Sequence, residues 1–208
     1  MFSASPLPLN AADLDRLYAP PSEMIVKGVL PHLLPFHLAY LRVASFFCLA
    51  TGSEAGLDAS PRGGAPGFVQ ALDDKRVAFA DWPGNNRIAS LRNLAGDDRI
   101  GMLFLFPGLE VFMRINGHGA ISDDSALLAR LVEGTRTPKT AIVVTIDEVL
   151  FHCGKAINRA QLWSDASRLD RSCVPSPGEM KAAVTGQGAE GARAMDEGYY
   201  RAVRGDLY

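Results

Sequence analysis

Two arginines, Arg62 and Arg87, lie in polar segments that interrupt apolar, strand-like stretches of the chain. Arg62 is part of Asp-Ala-Ser-Pro-Arg-Gly-Gly at residues 58–64, and Arg87 follows Pro-Gly-Asn-Asn at residues 83–86. A guanidinium group presents several N–H donors in one plane and can bind a phosphate in a bidentate manner. If the two side chains converge, they can hold a dianionic phosphate without a Gly-rich nucleotide loop.

The second segment is typical of a turn followed by the start of a helix. Pro83 and Gly84 would end a strand, and Asn85 or Asn86 can cap a helix that begins near Arg87. The unpaired N–H groups of a helix start, and its positive dipole end, would add to the attraction for a phosphate. An ordinary capped surface helix with an arginine in its first turn has the same pattern, so the residues alone leave both alternatives open.

The composition indicates a globular protein of one domain. The chain has 208 residues, of which 48% are hydrophobic, so it can bury a sizeable core. Its formal net charge of −2 predicts no general attraction to nucleic acid or to an acidic membrane. The first residues predict no secretory signal, no apolar stretch reaches 18 residues, and the three cysteines lack close spacing. We therefore expect a cytoplasmic protein without a disulfide framework.

The hydrophobic pattern predicts helices first and then mainly strands. Residues 1–45 are predicted to form a helical extension, residues 46–163 the main domain, and residues 164–208 a C-terminal extension that packs on the same domain. The strands of the main domain are predicted at 46–51, 57–62, 68–72, 77–80, 100–106, 111–121 and 140–151. The short helices between them are predicted at 87–95 and 125–132. Hairpin-linked strands with such insertions favour an antiparallel barrel.

Lys155, Arg159 and Trp163 follow the last predicted strand at intervals of four residues. On a helix, this spacing would place two cations and an indole on one stripe. A solvated helix face with one packed tryptophan has the same pattern, so this segment also has two interpretations.

Other motifs are weaker. Residues 186–191 match the Gly-x-Gly-x-x-Gly dinucleotide pattern, but no strand precedes them and too little chain follows for a βαβ unit, so we predict a flexible loop. The histidines lack the spacing of a zinc site, and no Gly-x-Ser-x-Gly elbow occurs. We predict no metal site.

The order of the segments resembles that of the pyridoxamine 5'-phosphate oxidase-like family of FMN-binding split barrels. The resemblance covers about residues 46 to 163, from Ser-Pro-Arg-Gly at 60–63 through Pro-Gly-Asn-Asn-Arg at 83–87 to His-Cys-Gly-Lys-Ala at 152–156. It implies a mainly β (α+β) fold, a six-stranded antiparallel split barrel with flanking helices. It also implies a homodimer that binds FMN in clefts between the protomers.

The same resemblance implies roles for particular residues around FMN. Those that would hold the phosphate are Arg62, Asn86 and Arg87. Those that would line the flavin are Ser60 and Asp81. Those that would lie near the cofactor, across the dimer interface, are Lys155, Arg159 and Trp163.

The chain departs from the oxidase itself at two places. Gly63 and Gly64 follow Arg62, where the oxidase has apolar residues and a lysine, and residues 168–170 read Arg-Leu-Asp instead of Arg-Leu-His. We therefore expect an FMN-dependent oxidoreductase that acts on another small molecule. Because the flavin itself would transfer the hydride or electrons, the core chemistry requires no side-chain acid or base, and the sequence identifies no catalytic residue. A flavin-binding or sensing protein without turnover is an alternative, as is a split barrel that holds haem or a deazaflavin.

Overall fold

An antiparallel sheet forms the body of the protein in the computed structural model, which describes residues 8–82, 84, 86–205 and 207. The strands within these residues are β1 (Phe46–Ser53), β2 (Gly56–Gly63), β3 (Gln70–Ala71), β4 (Arg76–Asp81), β5 (Arg99–Leu105), β6 (Val111–Ser122) and β7 (Thr140–Cys153). Their order in the sheet is β2-β1-β5-β6-β7-β4-β3, so β2 and β3 are the two edges and the sheet is not closed. Each of these strands overlaps one of the seven predicted from the sequence, although the strand predicted at 68–72 is reduced to the two residues of β3.

The sheet curls upon itself, because side chains from distant strands meet in the core. Phe47 of β1 contacts Phe79 of β4, with ring centroids 5.0 Å apart, although four steps in the sheet order separate the two strands. Phe47 also contacts Phe104 of the neighbouring strand β5 at 5.1 Å. These three phenylalanines are fully buried. The fold is therefore an α+β split barrel, as the resemblance implied.

Helices precede, interrupt and follow the strands of the barrel in the sequence. Those in the described residues are α1 (Ala11–Leu17), α2 (Glu23–Lys27), α3 (Pro35–Val43), α4 (Ala89–Gly96), α5 (Ser125–Arg130), α6 (Lys155–Arg159), α7 (Pro177–Thr185) and α8 (Ala189–Gly205). The prediction of a loop over 186–191 is wrong, because α8 already begins at Ala189. Gly186 ends α7 with a φ of 68°, which glycine adopts without steric cost.

The N-terminal extension is attached to β7 through backbone and ring contacts. Leu30 and Val149 exchange two backbone hydrogen bonds of 3.0 and 2.7 Å. His37 of α3 is buried, stacks on Phe151 with ring centroids 5.2 Å apart, and accepts a hydrogen bond of 2.9 Å at Nδ1 from the backbone N–H of Leu34. Burial is the main cause that lowers the pKa of His37, and nearby His32 lowers it further.

The C-terminal extension forms a helical hairpin in which α7 packs on α8. Asp196 of α8 accepts a hydrogen bond of 2.6 Å from the backbone N–H of Gly178, near the start of α7. That this extension packs on the barrel stays a prediction. Within the residues that the structure describes, no helix combines the length and the apolar character that a membrane span requires.

Candidate functional site

Three polar residues of β2 point to the inner face of the barrel. Asp58, Ser60 and Arg62 occupy alternate positions and are half-buried, and their partners in β1 are buried. Pro61 between them faces outward and is exposed. Since β2 is an edge strand, the ladder does not need an N–H from this proline, as the sequence predicted.

The guanidinium group of Arg62 is held by neighbours on two elements. Nη1 donates to the carbonyl oxygen of Pro61 at 3.0 Å and to Oγ of Ser60, and Nη2 donates to Oγ of Ser90 at 3.2 Å. These are its hydrogen bonds within the described part of the chain, whereas a guanidinium group carries five N–H donors. Two N–H donors of the Arg62 guanidinium therefore have no hydrogen-bond acceptor among the described residues and can serve a ligand.

Helix α4 is joined to β1 and β2 by polar contacts at its first and second turns. Ser90, in the first turn, is 3% exposed, and its Oγ donates to Oδ2 of Asp58 at 2.8 Å. One turn later, Nδ2 of Asn93 donates to Oγ1 of the buried Thr51 at 3.1 Å. These contacts fix the start of α4 beside Arg62.

A second carboxylate faces Arg62 from the end of β4. Oδ1 of Asp81 lies 3.9 Å from Nη2 of Arg62, and both side chains are 21% exposed. Burial raises the pKa of the Asp81 carboxyl, and the Arg62 guanidinium opposes part of this rise. The site thus combines one arginine with two aspartates and two serines, drawn from β2, β4 and α4.

The start of α4 differs from the prediction. The helix begins at Ala89, so Arg87 lies two residues before it and not in its first turn, and Asn86 does not cap it. The N-cap position is Ile88, whose φ of 45° is left-handed, whereas a capping side chain requires an extended backbone. Pro83 and Asn85 lie outside the described residues.

The segment before α4 is strained. Both Asn86, with a φ of 58°, and the β-branched Ile88 adopt left-handed backbone conformations. For a β-branched residue, this conformation is a genuine outlier, and such strain concentrates at functional sites. Asn86 and Arg87 are both exposed in this segment, next to the start of α4.

The predicted stripe of Lys155, Arg159 and Trp163 is wrong. Helix α6 ends at Arg159, and Gln161 turns the chain with a φ of 50°, so Trp163 is not on the helix. Lys155 and Arg159 share α6 and are exposed.

Trp163 instead packs against the turn between β5 and β6. Its Nε1 donates to the carbonyl oxygen of Leu109 at 2.8 Å. Gly154 lies against the same turn, and a Cβ at this position would stand 2.2 Å from the carbonyl oxygen of Glu110. A cleft of about 370 Å³ lies here; its lining includes Gly108, Glu110, Asn158, Gln161 and Trp163.

The structure therefore separates the predicted residues into two groups. Ser60, Arg62 and Asp81 come together, and Asn86 and Arg87 lie in the adjoining segment before α4. Lys155, Arg159 and Trp163 follow β7, four steps from β2 in the sheet order. Among the described residues, no hydrogen bond or ion pair joins this second group to Arg62.

Sequence reasoning missed Asp58 and Ser90 as members of the site. A signal for Asp58 was available, because residues at i, i+2 and i+4 of a strand share one face, and Asp58, Ser60 and Arg62 have this spacing. No comparable signal pointed to Ser90, since its role depends on where α4 begins.

Comparison with known proteins gives a family match. The family model of pyridoxamine 5'-phosphate oxidase matches residues 33–153. None of the curated proteins compared with the chain matches it significantly.

Solved structures with a similar chain trace share little sequence with this protein. The HupZ protein of Group A Streptococcus has 16% identity over 56% of this chain and 92% of its own, with a TM-score of 0.45. The general stress protein 26 of Bacillus anthracis has 11% identity over 54% of this chain and 88% of its own, with a TM-score of 0.43. An FMN-binding protein of Syntrophomonas wolfei has 14% identity over 55% of this chain and 84% of its own, with a TM-score of 0.42.

The family match carries the assignment. It begins in the segment before α3, includes every strand of the sheet and ends with the last residue of β7. Because the matched residues make up more than half of the sequence, this chain belongs to the pyridoxamine 5'-phosphate oxidase family.

Proposed function

We propose that this protein binds FMN and that the phosphate of FMN lies beside Arg62 at the start of α4. The observation that carries the proposal is the half-buried Arg62 guanidinium, which is held in place but keeps two N–H donors for a ligand. Membership of the family supports it, as does the name of the FMN-binding protein from Syntrophomonas wolfei.

The donors around Arg62 fit a phosphate. Ser60 places a hydroxyl group beside the guanidinium, and Arg87 lies in the segment that leads into the helix. Arg62 and Arg87 together balance Asp58 and Asp81, so a phosphate dianion would add net negative charge to the site. Burial raises the pKa of Asp81, so this carboxylate takes up a proton more readily than an exposed aspartate does, which reduces this difficulty.

Titration of the protein with FMN and with riboflavin tests the proposal. Charge-assisted hydrogen bonds to the phosphate are worth about 1.5–3 kcal/mol each, so FMN should bind roughly tenfold or more tightly than riboflavin. Flavin fluorescence quenching measures both affinities. Equal affinities would contradict a phosphate site at Arg62.

The absorption spectrum of the purified protein tests the identity of the cofactor. The bands of FMN, a deazaflavin and haem are distinct, so the spectrum needs no assumption about the substrate. We expect the spectrum of FMN, and haem or deazaflavin bands would favour the alternative cofactors.

We further propose that the protein is an oxidoreductase that acts on a small molecule other than pyridoxamine 5'-phosphate. Bound FMN supplies hydride or electron transfer, while the protein binds and orients it. Arg168 and Leu169, which stand where the oxidase has its substrate-binding pattern, lie on an exposed segment, and Arg168 pairs with Asp165 at 3.3 Å. Gly64 belongs to the other segment in which the chain departs from the oxidase. It allows Phe68 to pack closely, because a Cβ at this position would lie 2.7 Å from the Phe68 ring.

Turnover is tested by flavin reduction and re-oxidation in stopped flow. We expect the protein to oxidise NADPH or NADH, or to pass electrons to an external acceptor, faster than free FMN does under the same conditions. Rates no higher than those of free FMN, with both nicotinamides and several acceptors, would favour a flavin-binding protein without turnover.

We also propose that two copies of the chain associate through the outer face of β1, β5, β6 and β7. Leu103, Leu105, Phe112 and Leu150 are only half-buried on this face. Among them lies the ion pair of Arg114 with Glu148, at 2.9 Å, and Nε of Arg114 is buried without an acceptor within the described residues. A second copy would bury the apolar side chains and supply acceptors for Arg114.

A dimer would also give Lys155, Arg159 and Trp163 a role. On one chain they lie apart from Arg62, and α6 directly follows β7, one of the strands of the proposed interface. The partner copy could therefore bring this group towards the FMN site, as the family resemblance implies.

A further inference from the structure

We propose that Ser90 and Asp58 are positioning residues that keep the Arg62 guanidinium directed towards the phosphate of the cofactor. This inference rests on the proposed function. Neither residue need touch the cofactor, because both would act through Arg62.

The direction of the hydrogen bonds supports this role. A serine hydroxyl has one proton, and Ser90 donates it to Oδ2 of Asp58 at 2.8 Å. The lone pairs of the same oxygen then face Nη2 of Arg62, which lies 3.2 Å away. Asp58 thereby sets the orientation in which Ser90 accepts from Arg62.

The position of Ser90 strengthens the contacts that link Asp58 through Ser90 to Arg62. Ser90 is 3% exposed, so water competes little for its hydrogen bonds. It also lies in the first turn of α4, so its contact ties the guanidinium to the helix start. A long side chain that is already ordered loses less conformational entropy when it binds a ligand.

The competing partner of Arg62 is Asp81. Its carboxylate lies 3.9 Å from Nη2, which is beyond hydrogen-bond distance but close enough for the guanidinium to move into direct contact. Without Ser90, Arg62 could pair with Asp81 or with the released carboxylate of Asp58. Either pair would use donors that the phosphate needs.

The test compares FMN and riboflavin affinities in Ser90→Ala and Asp58→Ala with those of the unchanged protein. The readout is the ratio of the two affinities, because riboflavin reports an intact ring site and FMN adds only the phosphate. We expect the FMN preference to fall about fivefold or more in each variant, with riboflavin affinity unchanged.

Asn93→Ala is the matched control. It removes another polar contact between α4 and the sheet, that of Asn93 with Thr51, without touching Arg62. We expect this variant to keep the FMN preference. An equal loss in Asn93→Ala would overturn the inference, because general anchoring of α4 would then explain the effect.

Asp58→Ala separates positioning from simple electrostatics. Removal of a negative charge beside a phosphate site should strengthen FMN binding if charge alone matters, whereas positioning predicts weaker binding. An unchanged or increased FMN preference in Asp58→Ala, or an unchanged one in Ser90→Ala, would overturn the inference. If the unchanged protein shows no preference for FMN, the proposed function itself fails, and the inference falls with it.

Discussion

At the scale of single residues, the site is a polar cluster in which one arginine lies near two aspartates. Arg62 faces Asp81 directly and Asp58 through Ser90, so it lies in the barrel wall without an uncompensated charge. Such a group can keep its contacts to Ser60 and Ser90 while its remaining donors bind a phosphate. The strained backbone at Ile88 marks the same place.

Arg62→Ala and Arg87→Ala should each weaken FMN binding about tenfold or more, because each removes a hydrogen bond to a charged group worth roughly 1.5–3 kcal/mol. Riboflavin affinity should change much less. Fluorescence titration measures both, and thermal unfolding confirms that the variants are folded.

Arg76→Ala is the control for the arginine variants. Arg76 is exposed and pairs with Asp73 at 2.7 Å, three residues away in the sequence, so its removal leaves the Arg62 cluster intact. If Arg62→Ala and Arg87→Ala bind FMN as well as Arg76→Ala does, the phosphate site lies elsewhere.

At the scale of elements, hydrophobic alternation was sufficient to predict the long strands and their hairpins. The alternating burial of β1 shows why, since each inward residue packs in the core. Helix ends were less predictable. The Asn86 side chain could cap a helix, but Ile88 adopts a left-handed conformation and α4 begins only at Ala89. No pattern in the local sequence predicts this conformation. Likewise, the spacing of Trp163 suggested a longer α6, whereas the chain turns at Gln161.

His37 should make the attachment of α3 sensitive to acid. Its pKa is lowered below 6.5, so below that pH the unfolded chain binds more protons than the folded one. Stability should therefore decrease as the pH falls from 6.5 through the folded-state pKa of His37. Urea unfolding at a series of pH values should show this decrease, and His37→Asn should show less of it.

His118 provides the opposite control. Its Nδ1 lies 2.9 Å from Asp98 and its Nε2 lies 3.1 Å from Asp147, and a hydrogen bond to Asp98 is the main cause that raises its pKa. The contribution of His118 to the stability of the fold is complete below pH 6.5 and is lost as the pH rises through its raised folded-state pKa. In His118→Asn, the loss of stability with rising pH above 6.5 should be smaller, and the loss of stability at acid pH should be unchanged. If stability decreases below pH 6.5 by the same amount in His37→Asn as in the unchanged protein, the role of His37 is contradicted.

At the scale of the whole molecule, the open barrel carries an outer sheet face with half-buried apolar side chains and an ion pair. We expect light scattering to give twice the mass of the chain. Leu103→Lys should produce monomers, because Leu103 lies on this face and association would bury the new charge without a partner of opposite sign.

Leu57→Lys is the matched control for the dimer. Leu57 is 95% exposed at the β1–β2 hairpin, on the edge strand β2 and outside the four strands of the proposed face, so this variant should remain dimeric. An unchanged protein that is monomeric and still binds flavin would contradict the shared cleft.

The most direct measurement of the central claim is a crystal structure of the protein with FMN. We predict that phosphate oxygens lie within hydrogen-bond distance of the Arg62 guanidinium, next to the first turn of α4. A phosphate bound away from Arg62 and α4 would contradict it.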